Sequence, residues 1–223
     1  RRKTDAFMTN ILYIHGMGGG GDSRIPSILR ERFGRNVLEG CGAVNVVVRT
    51  YDFDPEIAHA QITSWTEELR PALVIGESLG ALHALRIVGM PHLFVSPALN
   101  TPLFFRYMAW MSVLPGVTEL LGRIYRPKEG DRQKLHFTYR VLCKYGKHRK
   151  MALSNSVRTG SRDKHFAFFG MQDHYRKSGI VSVHTWEKYF GNSYMMYDGT
   201  HFMEEEFIDS MLMPKIFEVL GHK

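Results

Sequence analysis

The sequence has few cysteines and no long hydrophobic run. Cys41 and Cys143 are the only two cysteines among 223 residues, too few for a disulfide framework and without the spacing of a metal site. No window approaches about 18 uninterrupted apolar residues, the length that a membrane-spanning helix needs. The basic stretch RRKTDAFMTN lacks the apolar core of a secretory signal. We therefore expect a cytoplasmic protein with reduced thiols, no membrane span and no metal.

Internal repeats and low-complexity linkers are also absent, and the composition is that of an ordinary globular protein, with 44% hydrophobic and 23% charged residues. The formal net charge of +7 is concentrated in residues 123–150, where ten Lys and Arg residues face two acidic ones. A solvated basic face is the ordinary interpretation of such a segment. It would also permit attraction of an anionic substrate, although we expect no nucleic-acid partner.

Strand and helix patterns alternate along most of the chain. Short apolar runs predict strands over residues 10–15, 43–48, 72–75, 92–96, 165–169 and 193–197, and helical spacing predicts helices after Ser23 and over 55–69, 79–88, 181–190 and 204–220. Alternation of this kind predicts an α/β fold with a doubly wound, mostly parallel sheet. Residues 101–160 interrupt it with an aromatic, Met-rich run and the basic stretch. We interpret them as an inserted helical cap within a single domain, residues 1–223.

A run of four glycines follows the first predicted strand. Residues 15–21, HGMGGGG, satisfy the spacing Gly-x-Gly-x-x-Gly between a strand and a helix, with Asp52 and Asp54 near the end of the next strand. That context is typical of a dinucleotide site. A glycine run satisfies many spacings by chance, however, and His15 is not part of the dinucleotide pattern. The Lys-Ser/Thr pair of a nucleoside triphosphate loop is missing.

A second glycine signal lies at residues 76–80, GESLG. In a Gly-x-Ser-x-Gly elbow the serine occupies a strained turn between a strand and a helix, which exposes its hydroxyl above the sheet. Gly76 and Gly80 would be needed because strand and helix nearly collide at such a turn. The pattern predicts that Ser78 is a nucleophile.

A nucleophilic serine needs a base and an acid, which follow it in the order Ser, Asp/Glu, His in this architecture. Asp173 comes three residues after the run KHFAFFG, residues 164–170, and His201 follows the last predicted strand. Both lie where parallel sheets place their sites. His174 and Asp198 are less suitable, because one directly follows the proposed acid and the other lies in the same turn as His201. We predict Asp173 as acid and His201 as base.

Backbone N–H groups must also stabilise the oxyanion that forms during acyl transfer. The residue after the nucleophile, Leu79, supplies one donor, and the loop after the first strand supplies the second. We predict Met17 as that second donor, with His15 and Gly16 supporting the turn. The same glycines thereby fit a serine hydrolase, and the dinucleotide interpretation loses its main support.

The insertion contains a candidate acyl pocket. Its aromatic and methionine side chains could line a substrate site, although such a stripe is more often core. The candidate lining residues are Phe104, Phe105, Met108 and Trp110.

With these residues assembled, the sequence resembles the α/β-hydrolase superfamily, and within it the small YqiA-like esterases. The motifs that carry the resemblance are ILYIHGMGG, VIGESLGAL, LFVSPALNTP, GMQDHY and DGTHFMEEEF. The resemblance implies the roles of nucleophile for Ser78, acid for Asp173 and base for His201. The glycine run and the longer, more basic insertion depart from a minimal member, so substrate preference does not transfer.

We therefore predict a serine hydrolase of the carboxylesterase type that acts on a small ester without a cofactor, and the basic segment would suit an anionic ester. Two alternatives stay open. The same residues serve a thioesterase or an acyltransferase, and a catalytically silent fold could act as a binding module.

Overall fold

Six parallel strands form a central sheet in the computed structural model, which describes residues 8–35, 43–127, 129–158 and 165–221. The strands in this part of the chain are β1 (Thr9–Ile14), β2 (Val44–Val48), β3 (Leu73–Glu77), β4 (His92–Val95), β5 (His165–Gly170) and β6 (Tyr194–Tyr197). Their order across the sheet is β2-β1-β3-β4-β5-β6. Because all pairings are parallel, the carboxyl ends of the strands share one edge.

Helices cover both faces of the sheet. They are α1 (Arg24–Arg35), α2 (Pro55–Leu69), α3 (Gly80–Ala84), α4 (Thr101–Met111), α5 (Val117–Ile124), α6 (Tyr139–Arg158), α7 (Val183–Phe190), α8 (Glu205–Phe207) and α9 (Met213–Leu220), with a π-helical turn at Ile208–Leu212 and a 3-10 turn at His174–Arg176. One buried cluster joins α1 and α9 to the sheet, and a second joins α2, α3, α4, α6 and α7 to the opposite face. The predicted doubly wound α/β class is confirmed.

Strand β1 shows why the sheet is buried on both sides. Ile11 and Tyr13 face the cluster that contains α1, while Leu12 and Ile14 face the other cluster, and all four are at most 1% exposed. Successive side chains of a strand point to opposite faces. A continuous apolar run therefore matches a sheet covered by two layers.

Helix α2 has the bounds that its sequence predicts, because both ends carry local signals. The Asp54 carboxylate accepts a hydrogen bond from the Glu56 N–H at 3.0 Å, and Pro55 occupies the first helical position. Arg70 ends the helix in the left-handed conformation, with φ 44°, and Pro71 prevents its continuation.

The segment between β4 and β5 forms α4, α5 and α6. Helix α6 packs along α4 and also contacts α2, α3 and α7. The Tyr145 hydroxyl donates to the Phe53 carbonyl at 2.8 Å, and Lys144 pairs with Asp54 and Glu56. These contacts make α6 part of the helical layer on one face of the sheet.

Candidate active site

Three polar side chains meet at the carboxyl edge of the sheet, from loops that follow three different strands. Nε2 of His201 lies 2.9 Å from Oγ of Ser78, and Nδ1 of His201 lies 2.7 Å from Oδ2 of Asp173. Asp173 and His201 are each 3% exposed, whereas Ser78 is partly exposed to solvent. The structure thus brings together the three side chains that the sequence singles out.

The direction of these hydrogen bonds follows from the chemistry of the groups. An ionised carboxylate only accepts, so Nδ1 of His201 carries the proton that it donates to Asp173. The lone pair of Nε2 then faces Ser78 and accepts the hydrogen bond of its hydroxyl. A neutral imidazole in this tautomer is arranged to remove the serine proton.

Ser78 lies in a strained turn between β3 and α3. Its φ is +50°, a left-handed conformation that non-glycine residues adopt only where the surroundings enforce it. A Cβ on Gly76 would lie 2.9 Å from Ala81 Cα, and a Cβ on Gly80 would lie 2.3 Å from the His15 carbonyl oxygen. Real Cβ atoms do not approach backbone so closely, so both positions require glycine.

Backbone hydrogen bonds hold this turn in place. The Ser78 carbonyl accepts from the N–H groups of Ala81 and Ala98 at 3.2 and 3.1 Å, and the Ser78 N–H donates to Val95 at 3.0 Å. The loop after β4 therefore supports the backbone of the candidate nucleophile.

Asp173 is oriented by its own loop. Its Oδ1 accepts the Tyr175 N–H at 2.8 Å as the 3-10 turn begins, which leaves Oδ2 free for His201. The two rival residues are placed elsewhere. The His174 ring contacts Tyr175 in a tilted arrangement and lies 6.3 Å from the His201 ring, and Asp198 accepts a hydrogen bond from Gln172.

The loop that carries His201 is fixed by residues that the sequence analysis did not select. The Tyr197 hydroxyl donates to the Thr200 carbonyl at 2.7 Å, and the Thr200 N–H donates to the Glu204 carboxylate at 3.0 and 3.1 Å. The edge of the Tyr175 ring contacts His201, with centroids 4.7 Å apart. The acidic residues that follow His201 in the sequence are the feature from which the role of Glu204 could have been predicted.

A partly buried carboxylate, Glu77, lies directly before the candidate nucleophile, and the sequence analysis did not select it. The Tyr13 hydroxyl donates to Glu77 at 2.8 Å. Burial raises the pKa of Glu77, while the hydrogen bond from Tyr13 and the nearby His201 act in the opposite direction. The middle letters of a Gly-x-Ser-x-Gly pattern carry no constraint, so the sequence offered no reason to select Glu77.

The loop after β1 approaches Ser78. A Cβ on Gly16 would lie 3.1 Å from Ser78 Cβ and 3.7 Å from its Oγ. In the described part of the chain, the backbone N–H groups of Met17 and Leu79 have no hydrogen-bond partner. Two free donors therefore lie on the two residues that the sequence predicts for an oxyanion site.

His15 supports this loop from below. Its ring is fully buried, stacks on Tyr51 at 4.2 Å between centroids, and bonds through Nδ1 to the Gly16 carbonyl at 2.7 Å. Burial lowers the pKa of His15 to about 4, so the ring is neutral at neutral pH and its Nδ1 carries the donated proton.

The remaining glycines receive a segment of the insertion. The Gly18 N–H donates to Oε1 of Gln133 at 3.1 Å, and the Gln133 N–H donates to the Gly19 carbonyl at 2.7 Å. A Cβ on Gly20 would lie 1.7 Å from the Asp131 carbonyl oxygen. Protein backbone thus occupies the space that a bound pyrophosphate would need, and the dinucleotide interpretation loses its structural basis.

The predicted acyl pocket needs correction. Phe105 is 2% exposed and packs in the core against Phe53 and Tyr145, whereas Trp110 is 70% and Phe104 37% exposed on the outer side of α4. Met108 is partly buried against the core. With 3.6 residues per turn, successive positions on α4 are about 100° apart around the helix, and the four side chains divide between the core and the exposed side of the helix.

The described residues contain neither a candidate metal site nor a membrane-spanning helix. Ranges 8–35, 43–127, 129–158 and 165–221 contain no group of three or more His, Cys, Asp or Glu that could hold a metal ion. Within the same ranges, no helix is long and apolar enough to cross a membrane.

Comparison with known proteins gives likenesses in structure only. No protein-family model and no curated protein matches the sequence. A carboxylesterase of the thaumarchaeon Nitrososphaera gargenis is 13% identical with a TM-score of 0.56, covering 97% of this chain and 93% of that one. Est1E from Butyrivibrio proteoclasticus, solved with ferulic acid bound, is 16% identical with a TM-score of 0.57, covering 96% and 90%.

A haloalkane dehalogenase variant, DatA from Agrobacterium tumefaciens, is 12% identical with a TM-score of 0.58, covering 95% of this chain and 90% of that one. These likenesses extend over the whole sheet and both helical layers. The chain has an α/β-hydrolase fold. In this chain the turn after β3 holds Ser78, and the loops after β5 and β6 bring Asp173 and His201 to it.

Proposed function

We propose that the protein is a serine hydrolase that cleaves carboxylic esters through an acyl-enzyme on Ser78. The observation that carries the proposal is the continuous hydrogen-bonded chain from Ser78 Oγ through His201 to Asp173, with distances of 2.9 and 2.7 Å. The free N–H groups of Met17 and Leu79 beside Ser78 support it. The α/β-hydrolase fold accommodates this chemistry, although a fold alone does not define an activity.

In the first half-reaction, Ser78 Oγ attacks the ester carbonyl as His201 Nε2 takes its proton. The carbonyl oxygen becomes an oxyanion that accepts hydrogen bonds from the N–H groups of Met17 and Leu79. Asp173 holds the His201 tautomer and stabilises the imidazolium. When the intermediate collapses, the bond to the alkoxide breaks, and His201 returns its proton to the leaving alcohol.

In the second half-reaction, water attacks the acyl-enzyme with His201 again as base. The oxyanion forms in the same site, and its collapse releases the carboxylic acid and restores the Ser78 hydroxyl. Ser78, His201, Asp173 and water therefore supply every proton transfer of the two half-reactions. Ester hydrolysis by this route needs no metal or organic cofactor.

We also propose that the hydrolase is a carboxylesterase similar to the small YqiA-like esterases. This part of the proposal rests on the sequence motifs. We likewise propose that residues 1–223 form one domain in which the 101–160 insertion has a cap-like role. We also propose a cytoplasmic location with reduced thiols, because the sequence contains only two cysteines.

Labelling with a fluorophosphonate probe tests the proposal, together with a panel of p-nitrophenyl esters and acyl thioesters. We expect the probe to attach to Ser78 and both labelling and hydrolysis to vanish in Ser78→Ala. Ser210→Ala, which removes a hydroxyl exposed on the C-terminal helical segment, is the control and should retain both. A folded wild-type protein that neither reacts with the probe nor hydrolyses any ester would overturn the proposal.

A further inference from the structure

A groove separate from the candidate active site lies between α4, α6 and α7. Its volume is about 740 Å³, a size typical of small-molecule sites. None of Ser78, Asp173 and His201 lines it. The groove is lined by apolar and basic side chains, which include Leu103, Arg106, Leu142, Arg149, Lys150 and Leu153.

The floor of the groove is hydrocarbon. Leu142 and Leu153 are buried at 1% and 3% exposure and form its base, while Leu103 on α4 stands 49% exposed at the side. An apolar chain laid along these side chains would be removed from water, which is the main favourable contribution to binding in such grooves.

The rim of the groove is cationic. Arg106, Arg149 and Lys150 line it, and no acidic side chain does. None of the three forms an ion pair with a carboxylate in the part of the chain that the structure describes. The sequence of α6 contains six Lys and Arg residues and no Asp or Glu. The positive charge at this groove is therefore not neutralised locally.

Arg149 is held in position for an incoming anion. Its Nε donates to the Leu99 carbonyl at 2.7 Å, and its Nη2 donates to Oδ1 of Asn100 at 2.8 Å. Its Nη1 has no hydrogen-bond partner among the described residues. A fixed guanidinium with free N–H groups loses little conformational entropy when it binds a carboxylate.

We propose that this groove binds a single-chain anionic amphiphile of the fatty-acid type. The hydrocarbon chain lies along Leu142 and Leu153, and the carboxylate pairs with Arg149, Arg106 and Lys150. A neutral amphiphile would leave three cations unpaired, and a small inorganic anion would leave the apolar floor unused. Binding at this groove requires neither Ser78 nor ester hydrolysis.

Cys143 provides a reporter for this binding, because its free, exposed thiol lines the groove. The test protein carries Cys41→Ser, which leaves one thiol, and Ser78→Ala, which removes the candidate nucleophile. The rate of Cys143 alkylation by iodoacetamide is measured with laurate below its micellar concentration. A ligand that covers the thiol slows alkylation by the factor 1 + [L]/Kd, about tenfold at ten times Kd. Butanoate and dodecyltrimethylammonium, which lack the chain or the negative charge, should slow it little.

Gly146→Leu is a variant that should block the groove by placing a leucine side chain in its wall. A Cβ at Gly146 meets nothing within 4 Å, Gly146 lines the groove, and replacing a helical glycine favours the helix. We expect this variant to abolish protection by laurate. Arg106→Gln and Lys150→Gln, which leave the Arg149 contacts intact, should each weaken laurate binding about tenfold or more. Lys147→Gln removes the same charge from an exposed position of α6 outside the groove and is the matched control.

Protection that survives Gly146→Leu, equal protection by dodecyltrimethylammonium, or no protection by laurate would each overturn the proposal. Thermal unfolding of every variant verifies that it is folded, and the two rim variants keep the test decisive if Gly146→Leu does not fold. Because all measurements are made without the Ser78 hydroxyl, their outcome is independent of the proposed hydrolase activity.

Discussion

Asp173→Asn tests the proposed proton arrangement while keeping the shape of the side chain. In the native protein, Oδ1 accepts the Tyr175 N–H at 2.8 Å and Oδ2 accepts the His201 Nδ1–H at 2.7 Å. Asparagine has one oxygen for these two donors. If the oxygen of the new asparagine accepts the Tyr175 N–H, the NH₂ group of the asparagine faces Nδ1 of His201. Because that NH₂ group is a donor, Nδ1 must accept, and the imidazole proton moves to Nε2. Nε2 then presents an N–H to Ser78 and cannot accept its proton.

We expect kcat for ester hydrolysis to fall by about 10³ to 10⁴, which corresponds to about 4 to 5.5 kcal/mol of transition-state stabilisation. The variant should remain folded, because the bond that caps the 3-10 turn survives. Initial rates with a p-nitrophenyl ester and thermal unfolding measure the two effects separately.

Asp198→Asn is the matched control for this experiment. Asp198 bonds to Gln172 at the surface of the same region, and its replacement should leave the rate unchanged. If kcat fell by less than about tenfold in Asp173→Asn, or if it fell as far in Asp198→Asn as in Asp173→Asn, the proposed role of Asp173 would be refuted.

Gly80→Ala would place a methyl group 2.3 Å from the His15 carbonyl oxygen and should lower the free energy of unfolding, measured in urea, by several kcal/mol. In the control Gly34→Ala the methyl group meets open space, so stability should not fall. Equal stabilities of the two variants would contradict the packing of the elbow. Acid should also weaken the fold. Burial lowers the pKa values of His92 and His148 to about 3, whereas an unfolded histidine titrates near about 6.5. Below that pH the unfolded chain binds protons that the folded chain does not, so the unfolding free energy should fall by about 2 kcal/mol per histidine between pH 7 and pH 5. Urea unfolding at the two pH values measures this, and an unchanged free energy would show that these rings are not buried in neutral form.

Features set by neighbours in sequence could be predicted well. The strands are apolar and β-branched runs, as in β2, and the helix at Pro55–Leu69 carries its own start and stop residues. The three candidate catalytic positions could be predicted because a parallel sheet brings the ends of its strands to one edge. Their place in the sequence therefore implies their place in space.

Features set by distant contacts could not be predicted. The helix after Ser78 is regular over only Gly80–Ala84, although its apolar pattern extends to Val88. The aromatic stripe of α4 divides between core and surface according to the packing of α6, which no local pattern encodes. The hydrogen bond between Tyr13 and Glu77 joins residues 64 positions apart and depends on the register of β1 against β3.

The contact between Gln133 and the glycine loop has a consequence for protein engineering. Gln133 bonds to Gly18, Gly19 and the carbonyl of Asp52, so it anchors the loop that carries Met17 to the body of the protein. A chimera that exchanged residues 101–160 for the corresponding segment of another protein would lose these anchors. Such an exchange must carry residues 131–133 with it, because the loop beside Ser78 would otherwise lose its support.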